Sequence, residues 1–175
     1  MKISPTYLMP FKRRRRGKTD YRRRLRLLLS KKPRLVVRRS LKYMYAQVLV
    51  FDQKGDKTLA AVSSRALKKL GWKFACDNLP AAYLTGLMIG KLSVEKGINE
   101  AVLDAGLYSS TKGSRIYAVV KGAIDAGLKV PVSEKVLPTE ERIAGKHIAA
   151  YLEKFKNMPE EFERIKNSIL GGKNG

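Results

Sequence analysis

The sequence predicts an α/β fold. A mixed β-sheet, made of a three-stranded meander plus one further strand, is packed with helices, preceded by a basic N-terminal arm and followed by a helical C-terminal tail. Three observations carry this reading. Alternating apolar segments joined by short turns run from Leu35 to Val62, at the two-residue period of half-buried strands. Downstream, stripes at helical spacing flank one short apolar run, Glu100 to Asp104, which gives helix–strand–helix after the meander. Residues 1–45 hold 17 of the 37 Lys and Arg but only one acid, Asp20, and so stand apart in composition. The division that follows is an arm over 1–18, a core over 19–130 and a helical extension over 131–175.

Each element has a local reason. Met1 to Lys18 has two prolines, no apolar period and the run Lys12-Arg13-Arg14-Arg15-Arg16, so it is expected to be extended until it meets an anion. Thr19 begins a helix with Asp20 at its positive end. Tyr21, Leu25, Leu28 and Leu29 fall on one face of that helix, with Arg22, Arg23 and Arg26 on the others, and Lys31-Lys32-Pro33 ends it. Strands follow at Leu35-Val36-Val37, Tyr43 to Asp52 and Thr58 to Val62, with Asp52 to Asp56 as a hairpin turn. Ser63 or Ser64 opens a short helix that Gly71 closes, with Trp72 packing back on its last turn.

From Pro80 to Lys96 a helix carries Gly86 and Gly90 on one face, a spacing that lets it lie close to a sheet. Ser114 caps a helix bearing the stripe Ile116, Val119, Val120, Ala123 and Ile124, and Gly127 ends it. Thr139 caps another, with Ala144, His147, Ile148, Tyr151, Leu152 and Phe155 on one face. Phe162, Ile165 and Ile169 mark the last, after Met158-Pro159.

The net charge of +22 needs a polyanion to offset self-repulsion in a compact state, which points to nucleic acid or an anionic membrane. The most apolar stretch, Leu79 to Gly90, is too short for a bilayer, and Met1 to Phe11 has no apolar signal core. One cysteine, Cys76, and one histidine, His147, make neither a disulfide nor a zinc site. The expectation is a cytosolic protein with no metal, no cofactor and no small-molecule substrate.

Three cationic clusters carry the chemistry. The arginine run supplies forked guanidiniums that pair bidentately with phosphates and stack on bases. Arg38, Arg39, Ser40 and Lys42 surround a tight inter-strand turn beside Tyr43 and Tyr45, a pairing of cations and planar rings suited to RNA. Thr111-Lys112-Gly113-Ser114-Arg115 sets two cations and free backbone N–H groups at a helix start, a seat for phosphate. The predicted RNA-binding set is Lys12, Arg13, Arg14, Arg15, Arg16, Lys18, Arg22, Arg23, Arg26, Arg38, Arg39, Ser40, Lys42, Tyr43, Lys112, Ser114 and Arg115.

Enzymatic readings find less support. Gly17-Lys18-Thr19 lacks both the earlier glycine, since Lys12 stands there, and the preceding strand that a phosphate loop needs. A metal-dependent nuclease of ribonuclease H-like layout needs an acid on its opening strand, where this chain reads Arg34-Leu35-Val36-Val37-Arg38-Arg39. Asp52, Asp104 and Asp125 read as solvated turn or terminus residues, and His147 as a packed side chain.

The stretch from Pro10 to Leu25 resembles the opening of the large-subunit ribosomal protein family numbered eighteen, in its archaeal form. The likeness continues through Lys32 to Arg38, Tyr45-Ala46-Gln47, Pro80 to Leu87, Ala101 to Asp104, Thr111 to Arg115 and Lys121 to Gly127. After Arg39-Ser40 that family shows Asn, a basic residue and often His, where this chain has Leu41, Lys42 and Tyr43. The resemblance implies a non-enzymatic protein of ribonuclease H-like topology that binds 5S rRNA in the central protuberance. It further implies contacts with the large-subunit rRNA and with neighbouring ribosomal proteins, including the 5S-binding protein numbered five.

Overall fold

A computed structural model describes residues 6–171. The meander forms as β1 (Arg34–Arg39), β2 (Met44–Val50) and β3 (Lys57–Ser63), and Val102–Asp104 adds β4. The sheet order is β3-β2-β1-β4, with β1 antiparallel to β2 and parallel to β4. A parallel partner demands a long crossover, and α3 (Leu79–Glu95) lies within it. Leu35 and Val37 point into the core with Met44, Ala46, Val48 and Ala60, so the alternation seen in the sequence sets which face α3 and α4 (Arg115–Asp125) cover.

Gly86 and Gly90 meet a helix rather than the sheet. A methyl group at Gly86 would lie 2.1 Å from the Val119 carbonyl oxygen, and one at Gly122 would lie 2.2 Å from that of Tyr83. These glycines let α3 and α4 touch backbone to backbone, after which both helices cover the sheet together.

The 3-10 helix Ser64–Leu70 ends as expected, with Ser63 capping it and Gly71 left-handed at φ +89°. Trp72 returns its N–H to the Leu67 carbonyl at 3.0 Å. The single helix expected after Thr139 is instead broken into α5 (Glu140–Ile143) and α6 (Lys146–Tyr151), because Gly145 between them is left-handed at φ +79°. Tyr151 and His147 are consequently exposed, which corrects the packed reading of that histidine. α7 (Met158–Gly171) buries Met158, Phe162, Ile165 and Ile169. It lies against α3, with Phe162 and Tyr83 rings 5.6 Å apart and the Lys91 ammonium donating to the Ile169 carbonyl.

The opposite sheet face carries α2 (Tyr21–Leu28), where Leu27, Val36 and Leu49 line one cleft. Asp20, not Thr19, caps α2, accepting from the Arg22 and Arg23 amides at 3.0 and 3.1 Å. The helix also turns a different side inward: Tyr21, Arg24, Leu27 and Leu28 are half-buried, while Leu25 and Leu29 are 62% and 73% exposed. Within the arm, Lys12–Arg15 form one helical turn, α1, where an extended segment was expected. Arg and Lys are good helix formers, and the Phe11 and Arg14 carbonyls accept from the Arg15 and Gly17 amides at 3.0 and 2.9 Å. Lys2 lies outside the described residues.

Candidate nucleic-acid interface

The predicted cations fall into two kinds, those held by acids and those left to solvent. α1 buries none of its residues, and Lys12 to Arg16 and Lys18 are all exposed, with Arg13 donating to the Thr19 hydroxyl at 2.9 Å. Phe11 rests on Tyr21 with ring centroids 5.2 Å apart, which brings the arm's cations beside α2. Arg22 and Arg26 are exposed on α2, and among the described residues neither meets a carboxylate. Arg23 donates to the Gly106 carbonyl at 2.8 Å and shares the cleft between α2 and the sheet with Arg13, Lys18 and Arg38. Of the face expected to be apolar, Tyr21 and Leu28 are half-buried, while Leu25 and Leu29 face solvent and Arg24 and Leu27 turn inward in their place.

Beneath that surface runs a chain of alternating charges that the sequence reading did not contain. Arg24 on α2 grips Asp56 bidentately at 2.8 and 2.7 Å. The second oxygen of Asp56 also accepts from Arg34 at 2.6 Å, and Arg34 reaches Asp104 at 2.9 Å. Arg38 closes the far end on Asp104 at 3.0 Å. Arg34 is 2% exposed, and both of its terminal guanidinium nitrogens meet carboxylates, while its buried Nε has no partner among the described residues. The Arg24 hydrogen bonds hold the Asp56 carboxyl below the ordinary carboxylate range, against burial and with help from Arg34. Burial raises the Asp104 carboxyl, but the Arg38 charge, the Gly106 amide and Arg34 outweigh it and leave it lowered.

Asp104 is thus 7% exposed and doubly ion-paired, which corrects its reading as a solvated terminus residue. The cause is parallel pairing of β4 with β1, which sets Asp104 opposite Val36, between Arg34 and Arg38. Asp52 does sit at the hairpin, paired with Lys57 at 2.9 Å. Asp125 ends α4, accepting from the Tyr83 hydroxyl at 2.8 Å and Lys121 at 2.9 Å. Among the described residues no three His, Cys, Asp or Glu side chains converge in a group that could hold a metal ion.

The turn after β1 divides its roles in the same way. Arg38 is only 40% exposed and also donates to the Val37 and Asp104 carbonyls at 2.8 and 2.7 Å, so much of its hydrogen-bonding capacity is spent internally. Arg39 is exposed, and its guanidinium lies 4.9 Å from the centroid of the Tyr108 ring, whose hydroxyl donates to the Arg39 carbonyl. Tyr108 was not singled out, and its position as an aromatic in a loop beside a cationic turn was the available signal. Ser40 closes the turn, exchanging hydrogen bonds with the Tyr43 backbone, while Tyr43 packs on the core. Lys42 is exposed and lines a groove with Lys68 and Asp77.

At the start of α4, Lys112 is exposed, but Arg115 donates to both the carbonyl and the carboxylate of Asp77, at 2.7 and 3.1 Å. The Gly113 amide is taken by the Val136 carbonyl at 2.9 Å and the Ser114 amide by that of Thr111 at 3.2 Å, so these two N–H groups are not free for phosphate. Ser114 makes no side-chain cap, and its buried hydroxyl has no partner among the described residues.

Every one of these cationic elements falls within a stretch that matches known proteins. The family model described as ribosomal large subunit proteins 60S L5, and 50S L18, matches residues 6–99 and 92–133, from α1 through α4. The chain belongs to this family of large-subunit ribosomal proteins, rRNA-binding components of the ribonucleoprotein that carries out translation.

Proposed function

We propose that this protein binds 5S rRNA and helps attach it to the large-subunit rRNA in the central protuberance, beside the 5S-binding protein numbered five. The observation that supports it most is the set of exposed cations on α1, Arg22 and Arg26, whose side chains pair with no carboxylate among the described residues. Its work is charge neutralisation: Lys and Arg replace the counterions condensed on phosphates, and the release of those ions drives binding. The proposed contacts are Lys12 to Arg16, Lys18, Arg22, Arg23, Arg26, Arg39, Lys42 and Lys112, with Arg38, Ser40, Tyr43, Ser114 and Arg115 shaping the turn and the helix start that carry them. The role is structural, on the ribosome in the cytoplasm, and no chemical step is part of it. Sheet order β3-β2-β1-β4 with a parallel fourth strand supports the ribonuclease H-like topology as part of the same reading.

Binding of the full chain to 5S rRNA across a salt series tests this. Roughly 6–10 phosphate contacts give a log–log slope of about −4 to −9, taking ~0.7–0.9 per phosphate. A slope shallower than about −2 would remove the arm from the phosphates and sink the reading. Magnesium-dependent cleavage of the same RNA would overturn the structural role.

A further inference from the structure

α2 carries Arg22, Arg23 and Arg26, yet it buries no residue, and Leu25 and Leu29 face solvent. Apolar packing therefore does little to fix its orientation, since stabilisation scales with apolar area removed from water. Polar contacts hold it at two adjacent residues instead. Arg24 grips Asp56 on the β2–β3 hairpin, and Arg23 donates to the Gly106 carbonyl just after β4. Those two anchors are themselves joined: Asp56 to Arg34, Arg34 to Asp104, and Asp104 to the Gly106 amide at 2.8 Å. The contacts close a ring that leaves α2 at Arg24 and returns to it at Arg23. Gly106 completes the ring in a left-handed conformation, φ +63°, where a methyl group would lie 2.8 Å from the Arg38 guanidinium carbon.

We infer that Asp56 and Asp104 are positioning residues for rRNA recognition: they hold α2 so that its unpaired arginines face the RNA, although as anions they oppose binding electrostatically. The inference rests on the RNA-binding reading above and predicts a sign that charge alone reverses. Neutralising an acid beside a phosphate-binding surface should tighten binding if only charge mattered. Asp56→Asn, which keeps the side chain's size but loses the charge-assisted bonds to Arg24 and Arg34, should instead weaken it.

Asp52→Asn is the matched control, because Asp52 lies on the same hairpin and removes the same charge but pairs with Lys57 and not with α2. If α2 is undocked most of the time in Asp56→Asn, affinity for 5S rRNA falls on the order of tenfold, the inverse of the docked fraction. The salt slope should also become shallower by about one to two, as the Arg22 and Arg26 contacts drop out. General destabilisation would lower the active fraction without changing that slope. Amide hydrogen exchange of the free protein supplies a readout without RNA: Asp56→Asn should lose protection over residues 21–28 while β1, β2 and α3 keep theirs. Affinity equal to or tighter than that of Asp52→Asn, an unchanged slope, or protection lost evenly across the core would each overturn the inference. Failure of the wild type to bind 5S rRNA would sink the functional reading alone, since the exchange result concerns the free protein.

Discussion

Arg34 shows how one residue shifts meaning between sequence and structure. As the first residue of β1 it reads as the absence of a catalytic acid, and in the fold it is a buried cation joining two aspartates. Removing one partner of a buried pair generally costs ~3–5 kcal/mol, because the other is left uncompensated. Arg34→Met should fall near the lower end of that range, about 3 kcal/mol, since Asp56 keeps Arg24 and Asp104 keeps Arg38. Urea unfolding at neutral pH would measure it, and a loss under about 1 kcal/mol would mean that the network contributes little. Both carboxyls are lowered in the folded state, so the folded chain binds fewer protons than the unfolded chain until the folded values are reached. Their stabilisation is present above the unfolded value of about 3.9 and is lost as pH falls from there through the folded values. Stability of the wild type should therefore decline on acidification below about pH 4, and Arg34→Met should show a weaker decline over that window.

Among the elements, the tightest junction is between α3 and α4. With Gly86 and Gly122 set against carbonyl oxygens of the facing helix, any side chain must push two backbones apart. Overpacking of this kind costs ~1–3 kcal/mol and sometimes more, and neither helix can slide freely because both rest on the sheet. Gly86→Ala should lower the unfolding free energy measured in urea by an amount in that range. Gly97→Ala is the useful contrast: nothing lies within 4 Å of its added methyl, so only backbone strain at φ +75° would register. If Gly86→Ala cost no more than Gly97→Ala, close helix contact would not be what the glycine provides. The break at Gly145 belongs to the same scale, where one left-handed residue turns a predicted helix into two and leaves Tyr151 outside the core.

Across the whole molecule, charge is sorted by depth. Arginines at 24, 34, 38 and 115, partly or fully buried, meet carboxylates, while much of the +22 comes from residues 1–45, where ten of the 17 cations lie in the arm or are Arg22, Arg23 and Arg26 of α2. Removing residues 1–18 deletes seven cations and breaks contacts such as Arg13 with Thr19 and Phe11 with Tyr21. The remaining chain should keep its far-ultraviolet spectrum and melt within a few degrees of the full protein, because α1 buries nothing. Its affinity for 5S rRNA should fall by about 10³ or more at physiological salt, as several phosphate contacts are lost together. A truncated protein that bound as well as the full chain would move the interface away from the arm.

The sequence by itself determined what depends on neighbours along the chain. Alternation over β2, the Ser63 and Gly71 signals around the 3-10 helix, the α4 stripe and the α7 apolar positions were all readable, since burial period and turn chemistry are local. The cationic arm was readable for the same reason. Tertiary structure decided which cations are spent inside. Asp56 and Asp104 lie 22 and 70 residues beyond Arg34, and only strand pairing brings them to it. The facing of α2 was decided there too: of its apolar stripe Tyr21 and Leu28 are half-buried, but with Arg24 bonded bidentately to a carboxylate on the hairpin, Arg24 and Leu27 turn inward and Leu25 and Leu29 face solvent. A helix of eight residues has little apolar area with which to resist, so a few charge-assisted bonds to distant partners set its orientation.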